Sequence, residues 1–247
     1  MLNLVVGMGT VGTALAKLIA LNQRVLGIDL EPDDVPTPVH TLHICYPYSD
    51  EFVSEAVRYV EAARPELCIV HSTVAPGTTG EIAAQVDCAL AYSPVRGRHN
   101  TMLMDLLKYK KFVAGVDPDA QTAAITFLES VGFSVREFDS CHGLELAKLV
   151  ETTYSGLLIA WAQEMDRFAG MADIDYFEVM RFLSEIPYLP PVVFQPGYIG
   201  GHCIMNNLDL LEEVRRSPFI DCIRQSNAQV EPSEKQLYPV LMALLGD

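Results

Sequence analysis

The chain has 247 residues, of which 50% are hydrophobic and 20% are charged, a composition that suits one or two globular domains with a sizeable core. Its net charge of −15 argues against binding to nucleic acid or to anionic membranes, so we expect neither as a partner. The sequence has no apolar run near the roughly 20 residues that span a bilayer. Met1 leads directly into a strand pattern, without the basic and apolar lead-in of a signal peptide, and we therefore expect a cytoplasmic protein.

Cysteine and histidine usage excludes two further classes. The six cysteines, at positions 45, 68, 88, 141, 203 and 222, are scattered and form no C-x-x-C pair, which is typical of a reduced protein rather than a disulfide scaffold. The six histidines show neither H-x-x-x-H nor H-E-x-x-H spacing, so we predict no metal site.

The N-terminal segment predicts a dinucleotide-binding unit. A buried strand is expected over 2–6, followed by the turn Gly7-Met8-Gly9-Thr10-Val11-Gly12, a helix over 13–21, and a second strand over 24–28 that ends in Asp29. In this arrangement the three glycines permit a tight turn, close approach of a pyrophosphate, and packing of the helix on the strand. An acid at the position of Asp29 accepts hydrogen bonds from a ribose diol and repels a 2′-phosphate, which favours NAD over NADP.

The alternation of strands and helices continues to about residue 139. We expect strands over 39–46, 67–71, 89–92, 112–116 and 133–136, and helices over 50–63 and 118–131, with Asp50 as N-cap of the first helix. In a doubly wound sheet the ligand binds at the carboxyl ends of the strands.

Loops that follow the predicted strands supply further candidates for ligand contact. Tyr46, at the end of its strand, and Thr73, just after the next one, are assigned to the cofactor site. In the same loop Thr78 or Thr79 is either a ligand contact or the cap of the following helix. Arg96 is assigned to a substrate phosphate or carboxylate, and a solvated polar loop is the alternative there.

From about residue 140 the pattern becomes helical. One long amphipathic helix is predicted over 144–171, and shorter helices follow over 175–184, 207–216 and 218–229. The sequence thus predicts an α/β chain: a Rossmann-type dinucleotide-binding domain over 1–139, then an all-helical domain over 140–247 built on the long helix. On that helix Lys148 and Thr152 are four residues apart and share a face.

The segment Gly197-Tyr198-Ile199-Gly200-Gly201-His202-Cys203 sets one cysteine among three glycines. Glycines let a substrate approach the backbone closely, and a thiol held in such a turn is a candidate nucleophile. The alternative is a tight turn followed by a buried, inert cysteine, because free cysteine is among the most buried residue types.

In their order and spacing, these motifs resemble the NAD-dependent nucleotide-sugar 6-dehydrogenases of the UDP-glucose/GDP-mannose dehydrogenase family. The resemblance runs from Met1 to about Gln229, and its last segment is most similar to the UDP-N-acetyl-hexosamine branch. Besides the glycine turn, it is carried by Ser72-Thr73-Val74-Ala75-Pro76-Gly77-Thr78-Thr79, Tyr92-Ser93-Pro94, Ala147-Lys148-Leu149-Val150-Glu151, Gln163-Glu164 and Pro196-Gly197-Tyr198-Ile199-Gly200-Gly201-His202-Cys203-Ile204.

The resemblance implies a four-electron oxidation of a primary alcohol to a carboxylate with two NAD. The family cysteine, matched by Cys203, adds to the intermediate aldehyde, and the thioester formed after the second hydride transfer is hydrolysed. Lys148 matches the family lysine, whose positive charge stabilises developing oxyanions and lowers the pKa of the thiol. Thr73 matches a threonine near the nicotinamide and a catalytic water. We also assign Gly200, Gly201 and His202 to substrate binding.

The family also implies partners. The substrate is expected to be a sugar nucleotide or a smaller alcohol, and a homodimer is expected because the family's long helix forms a dimer interface. The family carries a third domain after the region matched by this chain, which binds much of the nucleotide, and we expect this domain to be lacking here.

Three positions depart from the family pattern. Val95 replaces a glutamate that follows Ser-Pro, Thr152 replaces an asparagine four residues after the lysine, and Asn207 replaces an aspartate four residues after the cysteine. Thr152 and Asn207 keep their place among the catalytic candidates. The two lost carboxylates belong to acid–base and water handling, so thioester hydrolysis is the step most affected.

Two other hypotheses stay open. One is a two-electron dehydrogenase of the β-hydroxyacid type, which has a similar size and a helix lysine but whose G-x-x-x-K-x-x-N motif is poorly matched. The other is a non-catalytic NAD-binding protein that keeps the fold without the carboxylates.

Overall fold

The computed structural model describes residues 1–29, 35–186, 194–200 and 204–230. Its contacts divide the chain into two compact units, Met1–Lys148 and Leu149–Asp247. The first unit is a mixed α/β structure and the described part of the second is helical, which confirms the predicted fold class. The assignment of residues 1–139 to the cofactor and of 140–247 to substrate and dimerisation stays a prediction.

The first unit alternates strands and helices. Its strands are β1 Leu2–Val6, β2 Arg24–Ile28, β3 Thr41–Ile44, β4 Leu67–Val70, β5 Ala89–Tyr92, β6 Lys111–Gly115 and β7 Val135–Glu137. Its helices are α1 Thr10–Ile19, α2 Phe52–Ala63, α3 Thr78–Ala83, α4 Met102–Lys108 and α5 Pro118–Val131, and α6 Cys141–Met171 begins in this unit.

These strands form a seven-stranded sheet in the order β2-β1-β3-β4-β5-β6-β7. All neighbouring strands are parallel except β5 and β6, which are antiparallel. The strand order reverses between β1 and β3, because β2 lies on one side of β1 and β3 on the other. In open α/β sheets such a reversal opens a crevice at the carboxyl ends of the strands, where ligands bind.

The sheet is covered on both faces, which explains its continuous apolar strands. Alternate residues of β1 point to opposite sides: Leu4 and Val6 pack in one buried cluster with α2, and Val5 packs in another with α1 and α5. Burial of apolar area is the main favourable term in folding, so the two clusters hold the sheet between its covering helices. The position of its ligand-binding edge follows from this packing.

The residues just past the parallel strands stand in a row along that edge. Cys45 donates its backbone N–H to Val6 O at 2.8 Å, and His71 donates to Ile44 O at the same distance. Ser93 continues the row with a 2.9 Å bond to the carbonyl of the last β4 residue. The loops that leave these three positions therefore begin side by side.

Several predicted boundaries are corrected. Helix α1 begins at Thr10, three residues earlier than predicted, because Gly9 is its N-cap. Helix α2 begins at Phe52 with Glu51 at the cap position, so Asp50 is not the N-cap. Helix α4 was not predicted; it is a short helix that packs on α1.

The capping role considered for Thr78 and Thr79 belongs instead to Glu145 of α6. Its Oε1 accepts hydrogen bonds from Thr79 N at 2.8 Å and Thr79 Oγ1 at 2.5 Å, and its Oε2 accepts one from Gly77 N at 2.6 Å. Thr78 Oγ1 turns back to Ala75 O. The buried carboxylate thus fixes the first turns of α6 against the loop that follows β4.

In the second unit the described residues form the rest of α6 and three shorter helices, α7 Tyr176–Ser184, α8 Ile204–Val214 and α9 Pro218–Ala228. Their apolar core contains Ala160, Leu208, Ile220 and Ile223. Gly156 of α6 allows close packing, because a Cβ there would lie 2.7 Å from Ile204 Cγ2. None of the helices described is long and apolar enough to cross a membrane.

Candidate active site

The glycine turn after β1 leaves no room for side chains at two positions. Gly7 has φ +91°, and a Cβ there would lie 2.5 Å from Tyr46 N. A Cβ on Gly12 would lie 1.9 Å from Gly7 O. By contrast, a Cβ on Gly9 would meet no heavy atom within 4 Å. The turn is therefore closely packed at Gly7 and Gly12 and open at Gly9, where a ligand can approach the backbone.

The N-terminus of α1 opens into this crevice. Gly9 is the N-cap without a side-chain cap bond, and the first turn, which includes Thr10 and Val11, contains no acidic residue. Its first backbone N–H groups have no intrahelical acceptor, and the helix dipole adds positive potential. This arrangement suits an anion such as a pyrophosphate.

Asp29 lies beside the turn, as the sequence predicted for a ribose-binding acid. Its Oδ1 accepts a 3.3 Å hydrogen bond from Met8 N, and the residue is exposed at the end of β2. Tyr46 touches the turn through its backbone, whereas its ring packs on Phe52 of α2 with centroids 4.9 Å apart. Its side chain is therefore turned toward α2.

The next two loops extend the site along the sheet edge. Thr73 is half-buried in the loop after β4, whose neighbour Ser72 donates a 2.6 Å hydrogen bond to Tyr46 O. In the loop after β5, Val95 is buried in an apolar cluster. Arg96 donates from Nη2 to Lys110 O at 2.8 Å and stacks on Phe112, so one face of its guanidinium is already occupied.

A buried polar cluster lies under these loops and was missed by the sequence analysis. His43 Nδ1 lies 3.0 Å from His71 Nε2, and His71 Nδ1 lies 2.9 Å from Ser93 O. Lys111 Nζ donates to Ser93 O at 2.5 Å. All four residues are at most 3% exposed. The only signal in the sequence was polar residues within or beside apolar strands, which does not reveal that they meet.

Burial controls the protonation of this cluster. It lowers the pKa of His43 to about 3 and the pKa of His71 well below its usual range, and the Lys111 ammonium lowers both further. Burial also lowers the pKa of Lys111 to about 7. At neutral pH both imidazoles are therefore neutral, and Lys111 is near its midpoint.

In the second unit, the described part of the glycine-rich segment is held by buried amides. Asn227 accepts a 2.7 Å hydrogen bond from Ile199 N and donates a 3.0 Å bond to Ile199 O. Gln163 donates to Gly197 O at 2.8 Å. Asn227 was not singled out from the sequence, because a single asparagine in a helix pattern gives no sign of a distant partner.

Thr152 and Asn207 contact each other. Asn207 Nδ2 donates to Thr152 Oγ1 at 3.1 Å, and Thr152 Oγ1 donates to Leu149 O at 3.0 Å. Asn207 is 6% exposed. Both positions that depart from the family pattern on these helices thus form one uncharged hydrogen-bonded pair.

The remaining candidates are only partly described. Lys148 is half-buried on α6, three residues after Glu145, and Gly200 is exposed in the second unit. Gly201, His202 and Cys203 lie outside the described residues.

The mostly parallel sheet, the glycine turn, the open helix N-terminus and the acid after the second strand define a Rossmann-type dinucleotide-binding fold. Residues 143–229 match the model of the UDP-glucose/GDP-mannose dehydrogenase family, central domain. This match, together with the named relatives below, confirms the resemblance of the chain to that family.

Among the relatives, a UDP-N-acetyl-D-mannosamine dehydrogenase of Methanocaldococcus jannaschii is 25% identical over 185 residues, which cover 73% of this chain and 43% of the relative. The chain therefore spans less than half of that protein. Among solved structures, a UDP-D-ManNAc dehydrogenase from Pyrococcus horikoshii superposes with a TM-score of 0.79 at 20% identity, covering 93% of this chain and 68% of that one. A Mycobacterium tuberculosis 3-hydroxyisobutyrate dehydrogenase gives 0.71 at 15% identity, covering 92% of both chains.

The buried imidazoles of His43 and His71 make the free energy of unfolding depend on pH. Their folded-state pKa values lie below the usual value of 6.5, so the unfolded chain binds more protons once the pH falls below that value. The contribution of each neutral imidazole to the free energy of unfolding is fully present above the unfolded-state pKa. It is lost as the pH falls toward the folded-state pKa. For His43 alone, the loss at about pH 5 is roughly 2 kcal/mol.

Between about pH 7 and pH 5, we expect the free energy of unfolding of His43→Leu to fall by about 2 kcal/mol less than that of the wild type. Urea titrations at several pH values measure this difference. The exposed His142→Gln variant is the control and should keep the wild-type slope. An unchanged slope in His43→Leu would contradict a buried neutral imidazole.

Proposed function

We propose that this chain is an NAD-dependent oxidoreductase that oxidises a primary alcohol of a sugar nucleotide or of a smaller relative. The observation that carries the proposal is the packed turn of Gly7 and Gly12 beneath the open N-terminus of α1, with Asp29 beside it. The family of the central domain and the names of the relatives support the substrate class.

The cofactor would lie across the crevice. The backbone of residues 7–12 would hold its pyrophosphate, and Asp29 would accept from the ribose hydroxyls of NAD. Tyr46 and Thr73 would complete this site from the loops after β3 and β4. When bound, NAD supplies the hydride acceptor.

The chain's own residues would handle the substrate. Cys203 as thiolate would add to the aldehyde carbon, forming a C–S bond and an oxyanion that is protonated to a thiohemiacetal. Loss of a hydride and of the hydroxyl proton from this group leaves a thioester. The ammonium of Lys148 would stabilise the oxyanion and favour the thiolate. Arg96, Gly200, Gly201 and His202 would contact the substrate.

Hydrolysis of the thioester is the slow step in this proposal. Water must lose a proton to attack the carbonyl carbon, and a carboxylate is a suitable acceptor. The Thr152–Asn207 pair is uncharged and its hydroxyl already donates to Leu149 O, while Val95 is apolar and buried. None of the three accepts a proton near neutral pH.

We expect Cys203→Ser to form at most one NADH for each alcohol consumed and to release the aldehyde, because the thiohemiacetal cannot form. The wild type should form a second NADH and retain an acyl group on the protein. The measurement follows NADH absorbance and acyl-protein mass with sugar nucleotides, free sugars and hydroxyacids. Cys222→Ser, on the exposed part of α9, is the matched control and should behave as wild type.

The same panel separates the alternatives. Turnover unaffected by Cys203→Ser would exclude the thiol mechanism, and turnover of hydroxyacids alone would favour the two-electron dehydrogenase. The fold similarity to the 3-hydroxyisobutyrate dehydrogenase keeps that candidate in the test. Tight NAD binding without any turnover would favour a non-catalytic protein.

We also propose that the chain forms a homodimer through α6. Tyr154, Trp161 and Phe168 are spaced by seven residues on this helix and are 52%, 54% and 60% exposed. Aromatic side chains at this spacing share a face and are enriched in interfaces.

Light scattering should give about twice the chain mass of 27.3 kDa, since burial of this face favours association. We expect Trp161→Glu to give the single-chain mass, whereas Asp166→Ala, at an exposed polar position of α6, should stay dimeric. A wild-type chain with the single mass would refute the dimer.

A further inference from the structure

Lys111 reaches the ligand-binding edge because its strand is inverted. Strand β6 runs antiparallel to β5, with Tyr92 paired to Ala114, so the first residue of β6 lies beyond the carboxyl end of β5. The side chain is 3% exposed. A buried lysine is thereby placed in the same row as His71 and Ser93.

The charged form of Lys111 has a partner for each of its protons. Nζ lies 2.5 Å from Ser93 O, 3.0 Å from Pro94 O and 3.2 Å from His71 Nδ1. An ammonium group has three N–H donors. In this form His71 accepts at Nδ1, and its Nε2–H donates to His43 Nδ1 across 3.0 Å.

The neutral form is hydrogen-bonded as well. The amine keeps its two N–H bonds to the carbonyls of Ser93 and Pro94, and His71 Nδ1–H is shared between Ser93 O at 2.9 Å and the amine lone pair at 3.2 Å. His71 Nε2 then accepts from His43 Nδ1–H, so both imidazoles exchange tautomers. His43 Nε2 lacks a described partner, so it carries an unpaired N–H in the ammonium form and an unpaired lone pair in the neutral form.

The surroundings leave the Lys111 charge without a carboxylate partner in the described part of the chain. Lys148 and Arg96 disfavour the ammonium, and Cys45 is a neutral neighbour near pH 7, because burial raises the pKa of its thiol to about 12. His71 and His43 face it as neutral imidazoles. The site is therefore sensitive to any negative charge that arrives nearby.

The crevice lies directly beside this cluster. Cys45, which stands next to His71 in the row of residues past the strands, is also packed beneath the glycine turn: a Cβ on Gly12 would lie 3.3 Å from Cys45 Cβ. An anion above the turn would therefore lie over the first residue of the loop after β3, which is next in the row to His71.

We propose that the Lys111–His71–His43 cluster takes up a proton when an anionic dinucleotide occupies the crevice, so that cofactor binding is linked to protonation. This inference rests on the proposed cofactor site. Added negative charge stabilises the ammonium form, and the tautomer exchange keeps the Lys111–His71 and His71–His43 hydrogen bonds while the bond from His71 Nδ1 to Ser93 O is given up. NADH carries one more negative charge than NAD⁺, so its binding takes up more protons.

The test is titration calorimetry of the full chain with NADH, NAD⁺ and ADP-ribose in buffers of different ionisation enthalpy. As an order of magnitude, a charge about 10 Å away raises a lysine pKa by about one unit. Starting from the Lys111 pKa of about 7, such a shift gives roughly 0.5 proton taken up per NADH at about pH 7.5 and less than about 0.1 at about pH 5.5. NADH should accordingly bind up to about tenfold more tightly at low than at high pH.

Variants identify the group that takes up the proton. Lys111→Arg keeps the positive charge and Lys111→Met removes it, and both should abolish uptake, whereas the exposed Lys110→Met should not. His99→Gln must also keep the uptake, because His99 Nδ1 lies 3.5 Å from Thr10 Oγ1 at the mouth of the crevice and is the competing source.

NADH binding without proton uptake by the wild type would overturn the linkage alone, even if neither Lys111 variant folds. Uptake that disappears in His99→Gln, or persists in Lys111→Arg, would overturn it as well. A chain that binds neither NADH nor ADP-ribose would overturn both the linkage and the proposed cofactor site.

Discussion

The close approach of Gly12 to Gly7 is the contact on which the ligand edge depends. Because a Cβ on Gly12 would lie 1.9 Å from the Gly7 carbonyl, only glycine lets α1 begin directly over the end of β1. That position aims the free N–H groups of the helix into the crevice at the reversal of strand order. Asp29 and the loops after β3, β4 and β5 lie around this crevice, because each begins at the same edge of the sheet.

Local signals in the sequence were sufficient for most of the fold. Helix α5 has the range predicted for it, and the structure shows local residues that set its ends: Asp117 caps the first turn and Gly132 ends the helix with a left-handed residue. The glycine turn and Asp29 were also predicted, since their spacing depends on one strand–helix–strand unit. Short helices such as α4 contain too few residues for a periodic pattern to be recognised, and its exposed Leu103 and Met104 and buried Asp105 do not follow one.

The features that the sequence did not reveal all depend on contacts between distant residues. Lys111 and His71 are 40 positions apart, and Asn227 and Ile199 are 28 apart. Glu145 was given no role from the sequence, yet its carboxylate takes the capping role considered for Thr78 and Thr79 at the start of α3. Such partners become visible only when the sheet and helices have placed them together. Thr152 and Asn207 depart from the family pattern at two positions, and only the structure shows that the two side chains are hydrogen-bonded to each other.

The central claim is that the crevice is an NAD site, and a fluorescence titration with NADH and NADPH tests it most directly. If Asp29 faces the ribose, its carboxylate repels a 2′-phosphate, and NADH should bind at least about tenfold more tightly than NADPH, a preference of roughly 1.4 kcal/mol or more. Asp29→Asn should reduce this preference. Equal or tighter binding of NADPH, or no binding of either cofactor, would contradict the account.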